Sequence, residues 1–207
     1  MGWSDEKKKM KEDFCKILMR IEAMKFGTFT LASGRISPYY IDLRIIPSFP
    51  EVFAKVSKYY VELAKNEVED FDRVAAVPIA GIPFAVVLAQ ALKKPFVAIR
   101  KEVKEHGRGR RVEGILNPGD KVLVVDDLIT TGLSIMDAVE PVKTDGGVVK
   151  DAIVLIDREE GGKENLKEAG IRVHSLINVT EAVKILHEVE LLSKEQLEAV
   201  LRQVQKK

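Results

Sequence analysis

Two adjacent carboxylates, Asp126 and Asp127, end an apolar run in the stretch KVLVVDDLITTGLS, Lys121 to Ser134, and a hydroxyl-rich turn containing Gly132 follows them. Like charges side by side repel, so the arrangement needs a compensating partner. Backbone N–H groups of a tight turn opening a helix form a cradle for a phosphate dianion, and the hydroxyls of Thr130, Thr131 and Ser134 can add to it. The carboxylates can accept hydrogen bonds from vicinal hydroxyls or hold Mg²⁺ directly or through water. A sugar phosphate would use both halves at once. The plainer alternative is that the acids only cap the turn; the register of strand, acids and Thr-Thr-Gly turn favours a ligand.

Three further segments carry suitable chemistry. RKEVKEHGRGRRVEG, Arg100 to Gly114, holds Arg100, Lys101, Lys104, His106, Arg108, Arg110 and Arg111, with Gly107 and Gly109 interrupting any helix. Such a run is commonly a solvated loop, but beside a sugar-phosphate site it can close over a pyrophosphate and neutralise it as it leaves. Its glycines lack the GxGxxG spacing, and no GxxxxGK[ST] occurs. VPIAGIPF, Val77 to Phe84, turns from strand to helix through Gly81, where a backbone without a side chain can approach an anion. Arg158, just beyond a strand over Ala152 to Asp157, offers a planar fork for a carboxylate. By contrast, Cys15 among Phe14, Ile17, Leu18 and Ile21 reads as core. His174 and His187 read as structural, and no two histidines have metal spacing.

The elements that must position these groups alternate. Spacing at i, i+3, i+4 and i+7 predicts a helix from Ser4, its N-cap, to about Met24. FGTFTLASGRISPYYIDLR, Phe26 to Arg44, predicts a hairpin-like strand pair, and Glu51 to Glu69 a second helix. Strands are expected at RVAAV, PFVAI, KVLVV, VVKDAIVLI and VHSLINV. Helices are expected from Ile82, from Ser134 (ended or kinked by Pro141), before Gly170, and around Glu181 to His187 and Ser193 to Val204. This is an α/β pattern: a mainly parallel twisted sheet flanked by helices, with ligands beyond the carboxyl ends of its strands.

Composition sets bounds. A chain of 207 residues, 46% hydrophobic and 31% charged, suits a single domain over 1–207. The net charge of +1 argues against a general nucleic-acid binder. No apolar run is long enough for a membrane span, and the charged N-terminus does not suit a secretory signal, so a cytoplasmic location is expected.

VVDDLITTGLS resembles the phosphoribosyl-diphosphate signature of the type I phosphoribosyltransferases. FTLASGRISPYYIDLR, AVPIAGIPFA, AIRKEVKEHGRGRRVEG and IVLIDREEGG, in this order and spacing, resemble the orotate phosphoribosyltransferase branch. The resemblance implies the type I fold, with residues about 1–45 forming an N-terminal helix and a small base-binding hood. It implies transfer of ribose 5-phosphate from 5-phospho-α-D-ribose 1-diphosphate to orotate, in pyrimidine (UMP) biosynthesis, with Mg²⁺ held mainly by substrate and water near Asp126 and Asp127. Donor contacts then fall to Asp126, Asp127, Leu128 and Ile129, to the turn Thr130, Thr131, Gly132, Leu133 and Ser134, and to the backbone of Ile79, Ala80 and Gly81. Arg100, Lys104 and His106 would meet the pyrophosphate, with Lys104, His106, Asp126 and Asp127 as the catalytic set. Lys101 would act across the interface of a homodimer. Thr130 and Arg158 would contact orotate under a hood of Ser33, Gly34, Arg35, Ser37, Tyr39 and Tyr40; Ala32 stands where many orotate enzymes have Lys. A purine transferase of the same fold, which needs no Arg158, and a regulatory phosphoribosyl-diphosphate sensor are the competing readings.

Overall fold

The computed structural model describes residues 2–30, 34, 36–101 and 111–205. Ala32, Ser33, Arg35, Lys104 and His106, all named above, lie outside the described residues.

Helix α1 spans Trp3–Arg20. Its N-cap is Gly2, with no side-chain cap, and not the expected Ser4; Ser4 is already inside the first turn. Strands β1 (Met24–Thr30) and β2 (Ile36–Ile41) form a separate antiparallel pair, the expected hairpin-like pair, with an irregular register between Phe26 and Phe29. A 3₁₀ turn at Leu43–Ser48 leads into α2 (Pro50–Glu67), whose Pro50 sits at the helix start where no N–H is needed.

Next come β3 (Arg73–Ala76), α3 (Ile82–Leu92), β4 (Phe96–Ile99), β5 (Val112–Glu113), β6 (Lys121–Val125) and β7 (Leu128–Ile129). They are followed by α4 (Leu133–Thr144), β8 (Val148–Asp157), α5 (Gly162–Glu168), β9 (Arg172–Asn178), α6 (Val179–Glu188) and α7 (Lys194–Gln205). Pro141 does not end α4 at once: the helix runs on to Thr144.

The main sheet has the order β5-β4-β3-β6-β8-β7, with β9 on the other edge of β8. All its pairs are parallel except β4 with β5. Side chains alternate across the sheet and divide the core in two. Val74, Ala76, Leu123, Val125, Ile153 and Leu155 face α1, α2, α3 and α6. Ala75, Val122, Val124, Ala152 and Val154 face α4 and α5. Burial on both faces explains why these strands read as continuous apolar runs.

From β3 the chain crosses through α3 to β4 on one side, and from β6 through α4 to β8 on the other. The direction reverses between β3 and β6, which opens a crevice at their carboxyl ends.

Candidate active site

That crevice holds a cleft of about 160 Å³ lined by Val77, Pro78, Ala80, Asp126 through Thr130, Gly132, Ser134 and Ile135. Of the expected donor residues, Ala80, Asp126 through Thr130, Gly132 and Ser134 line this cleft from two loops, and Ile79, Gly81, Thr131 and Leu133 do not. A second cavity of about 270 Å³ adjoins it through Val77, Pro78 and Ser134, and Lys101 and Arg111 bring positive charge to its wall.

The acid pair occupies a step in the sheet. After β6 the chain jogs at Asp126 and Asp127 and resumes as β7 on the same edge of β8. Asp126 N–H donates to Ile153 O at 3.0 Å, and Leu155 N–H donates to Asp127 O at 2.9 Å. Both acids are buried. Asp126 Oδ1 accepts the Asp127 N–H at 2.9 Å, and Asp127 Oδ1 accepts the Leu128 N–H at 2.8 Å, which uses one oxygen of each carboxyl. Burial, and then the charge of Asp127, push the Asp126 pKa well above the usual carboxylate value. Burial raises Asp127 too, against opposition from the Leu128 N–H and the charge of Arg44. Two neighbouring buried carboxylates disfavour each other's charged form, so a cation or a hydroxyl-bearing ligand would relieve that cost.

Gly81 locks the two loops together. A Cβ there would overlap the Val125 carbonyl oxygen and come within 3.1 Å of Asp126 Cα. Val77 N–H donates to that same Val125 oxygen at 2.9 Å, and the Pro78–Ile79 peptide is cis. Neither α3 nor α4, whose N-caps are Gly81 and Gly132, has a side-chain cap. The start of α4 lines the cleft with Gly132, Ser134 and Ile135, so its leading N–H groups and dipole favour an anion there by about 0.3–1 kcal/mol. At α3 the Gly81 and Ile82 N–H groups are instead taken by Val77 O and Ile79 O.

Arg158 follows β8 and is buried, with Nε 3.1 Å from Glu160 Oε1 and its guanidinium 5.0 Å from the Tyr39 ring. Tyr39 is buried while Tyr40, next along β2, is partly exposed, as strand alternation requires. The two expected hood tyrosines thus sit on opposite faces: Tyr39 over Arg158, Tyr40 beside Phe29 and within 3.3 Å of Arg44 Nη2. Gly34 is exposed and has a φ of +78°. Ser37 is buried, its hydroxyl donating to Tyr39 O at 2.7 Å. Arg100 is ion-paired with Glu113 at 2.6 Å.

Sequence reasoning missed Tyr60 and Asn165, which reach Asp126 O and Thr131 O from 66 and 34 positions away, and Glu160, which pairs with Arg158 two residues before it. Among the described residues no group of three or more His, Cys, Asp or Glu could enclose a metal. The two buried carboxyls supply the hard oxygen donors that suit a Mg²⁺ ion carried chiefly by substrate and water. Among the described residues no helix is long and apolar enough to cross a membrane.

Residues 47–188 match the family described as "Phosphoribosyl transferase domain". The chain is 42% identical over 181 residues to an orotate phosphoribosyltransferase of Sulfolobus acidocaldarius, covering 87% of this chain and 90% of that one. It is 38% identical over 188 residues to uridine 5'-monophosphate synthase of Bos taurus, covering 91% of this chain but only 39% of that longer protein. Among solved structures it resembles Mycobacterium tuberculosis orotate phosphoribosyltransferase in complex with 5-phospho-α-D-ribosyl 1-diphosphate. The TM-score is 0.67 at 27% identity, over 84% of this chain and 98% of that one.

Proposed function

The chain belongs to the orotate phosphoribosyltransferases of the type I phosphoribosyltransferase family, and we propose that it transfers ribose 5-phosphate from 5-phospho-α-D-ribose 1-diphosphate to orotate. The products are orotidine 5'-phosphate and diphosphate, a step of pyrimidine (UMP) biosynthesis. The observation that carries the reading is the bond from Arg158 N–H to Ile129 O, 3.0 Å long. It sets the arginine that suits a carboxylate-bearing base directly against the turn that suits a phosphate.

On this reading the 5'-phosphate lies in the turn Thr130 to Ser134 at the start of α4, and Asp126 and Asp127 hold the ribose hydroxyls and favour positive charge developing at C1. N1 of orotate bonds to C1 as the bond from C1 to the pyrophosphate oxygen breaks, so no protein nucleophile is required. The chain's work is orientation and electrostatics. Mg²⁺, when bound, supplies charge neutralisation to the pyrophosphate. Lys104, His106 and Arg100 approach the leaving group, and the backbone of Ile79 to Gly81 lies beside it. Arg158, with Thr130 and Tyr39, receives the orotate carboxylate and ring.

We assign the whole of 1–207 to one transferase domain, because α1, β2, α2, α3, the sheet, α6 and α7 contribute to one continuous core. A homodimer with Lys101 reaching the partner's site fits the outer face of α3. Val86 there is 43% exposed, an apolar side chain that association would cover.

The test is orotate consumption with phosphoribosyl diphosphate and Mg²⁺, run beside uracil, adenine and hypoxanthine. Turnover of orotate alone is expected. Turnover of a purine without orotate would assign the chain to a purine transferase instead.

A further inference from the structure

Three consecutive carbonyls of the phosphate turn are bonded to one neighbouring segment. Arg158 N–H donates to Ile129 O at 3.0 Å and Gly162 N–H to Thr130 O at 2.9 Å. The Asn165 side-chain amide, on α5, donates to Thr131 O at 3.0 Å. A planar trans peptide points its N–H opposite to its C=O. Holding these three oxygens therefore turns the N–H groups of Thr130, Thr131 and Gly132 away from the Arg158 to Asn165 segment, and Thr130 and Gly132 line the cleft.

The fit at Gly162 leaves no room for a side chain. A Cβ there would overlap the Thr130 oxygen and approach Gly132 N to 2.8 Å and Ile129 Cγ1 to 2.7 Å. Gly161, with φ +83°, makes the tight entry into α5 that brings Gly162 and Asn165 to the turn together. Asn165 itself is exposed, so nothing in the core depends on it.

Resting on the reading of this cleft as a phosphoribosyl diphosphate site, we propose that Gly162 and Asn165 are positioning residues of the donor turn. They fix the direction of its N–H groups and hence the affinity for the donor's phosphate, without touching substrate. The segment that carries the base-binding arginine thereby also shapes the donor site.

The test compares Asn165→Leu, which keeps the branched shape but loses the amide, with Asn165→Gln, which keeps an amide, in the full-length enzyme. One net hydrogen bond corresponds to about a 5-fold effect. Asn165→Leu is expected to raise the KM for phosphoribosyl diphosphate about 5-fold, with the KM for orotate and the Tm close to wild type. Asn165→Gln is expected to recover most of the loss. An unchanged donor KM in Asn165→Leu, or an equal loss in both variants, overturns the assignment. Gly162→Ala should raise the donor KM further; if it does not fold, the exposed Asn165 pair decides. A wild-type protein that does not turn over orotate would instead sink the underlying reading, whichever way the variants behave.

Discussion

The Tyr60 hydroxyl donates a 2.7 Å hydrogen bond to the backbone carbonyl of Asp126, across 66 positions of sequence. Tyr60 is wholly buried on α2 and stacks on Phe84 of α3 with ring centroids 5.1 Å apart. Burial, with the charges of Asp127 and Asp126, keeps its pKa well above the ordinary phenol value, so it remains a donor at any working pH. Tyr60→Phe retains the stacking and strands a buried carbonyl. It should cost about 1–3 kcal/mol of stability by urea unfolding and raise the KM for phosphoribosyl diphosphate more than that for orotate.

Gly81→Ala tests the contact between the two donor loops. The backbone there is ordinary, with φ −72°, so the penalty comes from the overlap with Val125 O and not from torsion. The expected result is a loss of about 1–3 kcal/mol, with activity falling because the overlap pushes directly on Asp126.

Arg158 can be tested through its substrate. Replacing it by Lys removes the fork but keeps a charge beside Glu160. The KM for orotate should rise about 10-fold or more while that for the diphosphate changes little. Equal effects on both would count against a contact with the base carboxylate.

Stability should depend on pH through His174. Its Nε2 lies 2.7 Å from Asp151 Oδ1 and its Nδ1 3.7 Å from Glu67 Oε2; Glu67 also receives Lys7 and Trp3, and Asp151 receives Arg172. Burial pulls the His174 pKa down, but its bonds to Glu67 and Asp151 outweigh this and leave it above 6.5. For Glu67, burial works upward, yet the bonds from His174 and Lys7 bring it to about 2. The His174 contribution is complete below its unfolded value near 6.5 and disappears as pH rises through the raised value. The Glu67 contribution is complete above its usual 4.5 and disappears as pH falls towards about 2. His174→Gln should therefore be most destabilising, relative to wild type, near about pH 5.5 and least near about pH 9, in paired urea titrations.

Cys15 is buried, and its thiol is pushed up to about 12 chiefly by that burial. Iodoacetamide at about pH 8 should alkylate it in denaturant and leave it unmodified in the native protein.

Much of the fold was legible because strands buried on both faces and amphipathic helices leave strong periodic patterns. Strands β5 and β7 were not legible. Two residues carry no period, and such strands exist only because a neighbouring edge is there to pair with them. The start of α1 was misread because Ser4 is a good cap by type, while Gly2 takes the extended N-cap conformation without a side-chain bond. That Asp126 and Asp127 line the cleft, with Arg158 bonded beside them, was visible from chemistry at fixed local spacing. Tyr60 and Asn165 carry no such mark: a tyrosine on an apolar helix face and an asparagine on a short polar helix acquire meaning only from the carbonyl each reaches.

The jog between β6 and β7 makes strand β8 a ruler. Asp126 and Asp127 are indexed against Ile153 and Leu155, Leu128 and Ile129 against Ile156 and Asp157, and Arg158 is the next residue of the same chain. The spacing from the acid pair to Arg158 is thus counted in residues of a single ten-residue strand. A deletion or insertion within β8 would put these groups out of step and send side chains to the wrong face. Changes of length elsewhere in the surface loops leave that count untouched.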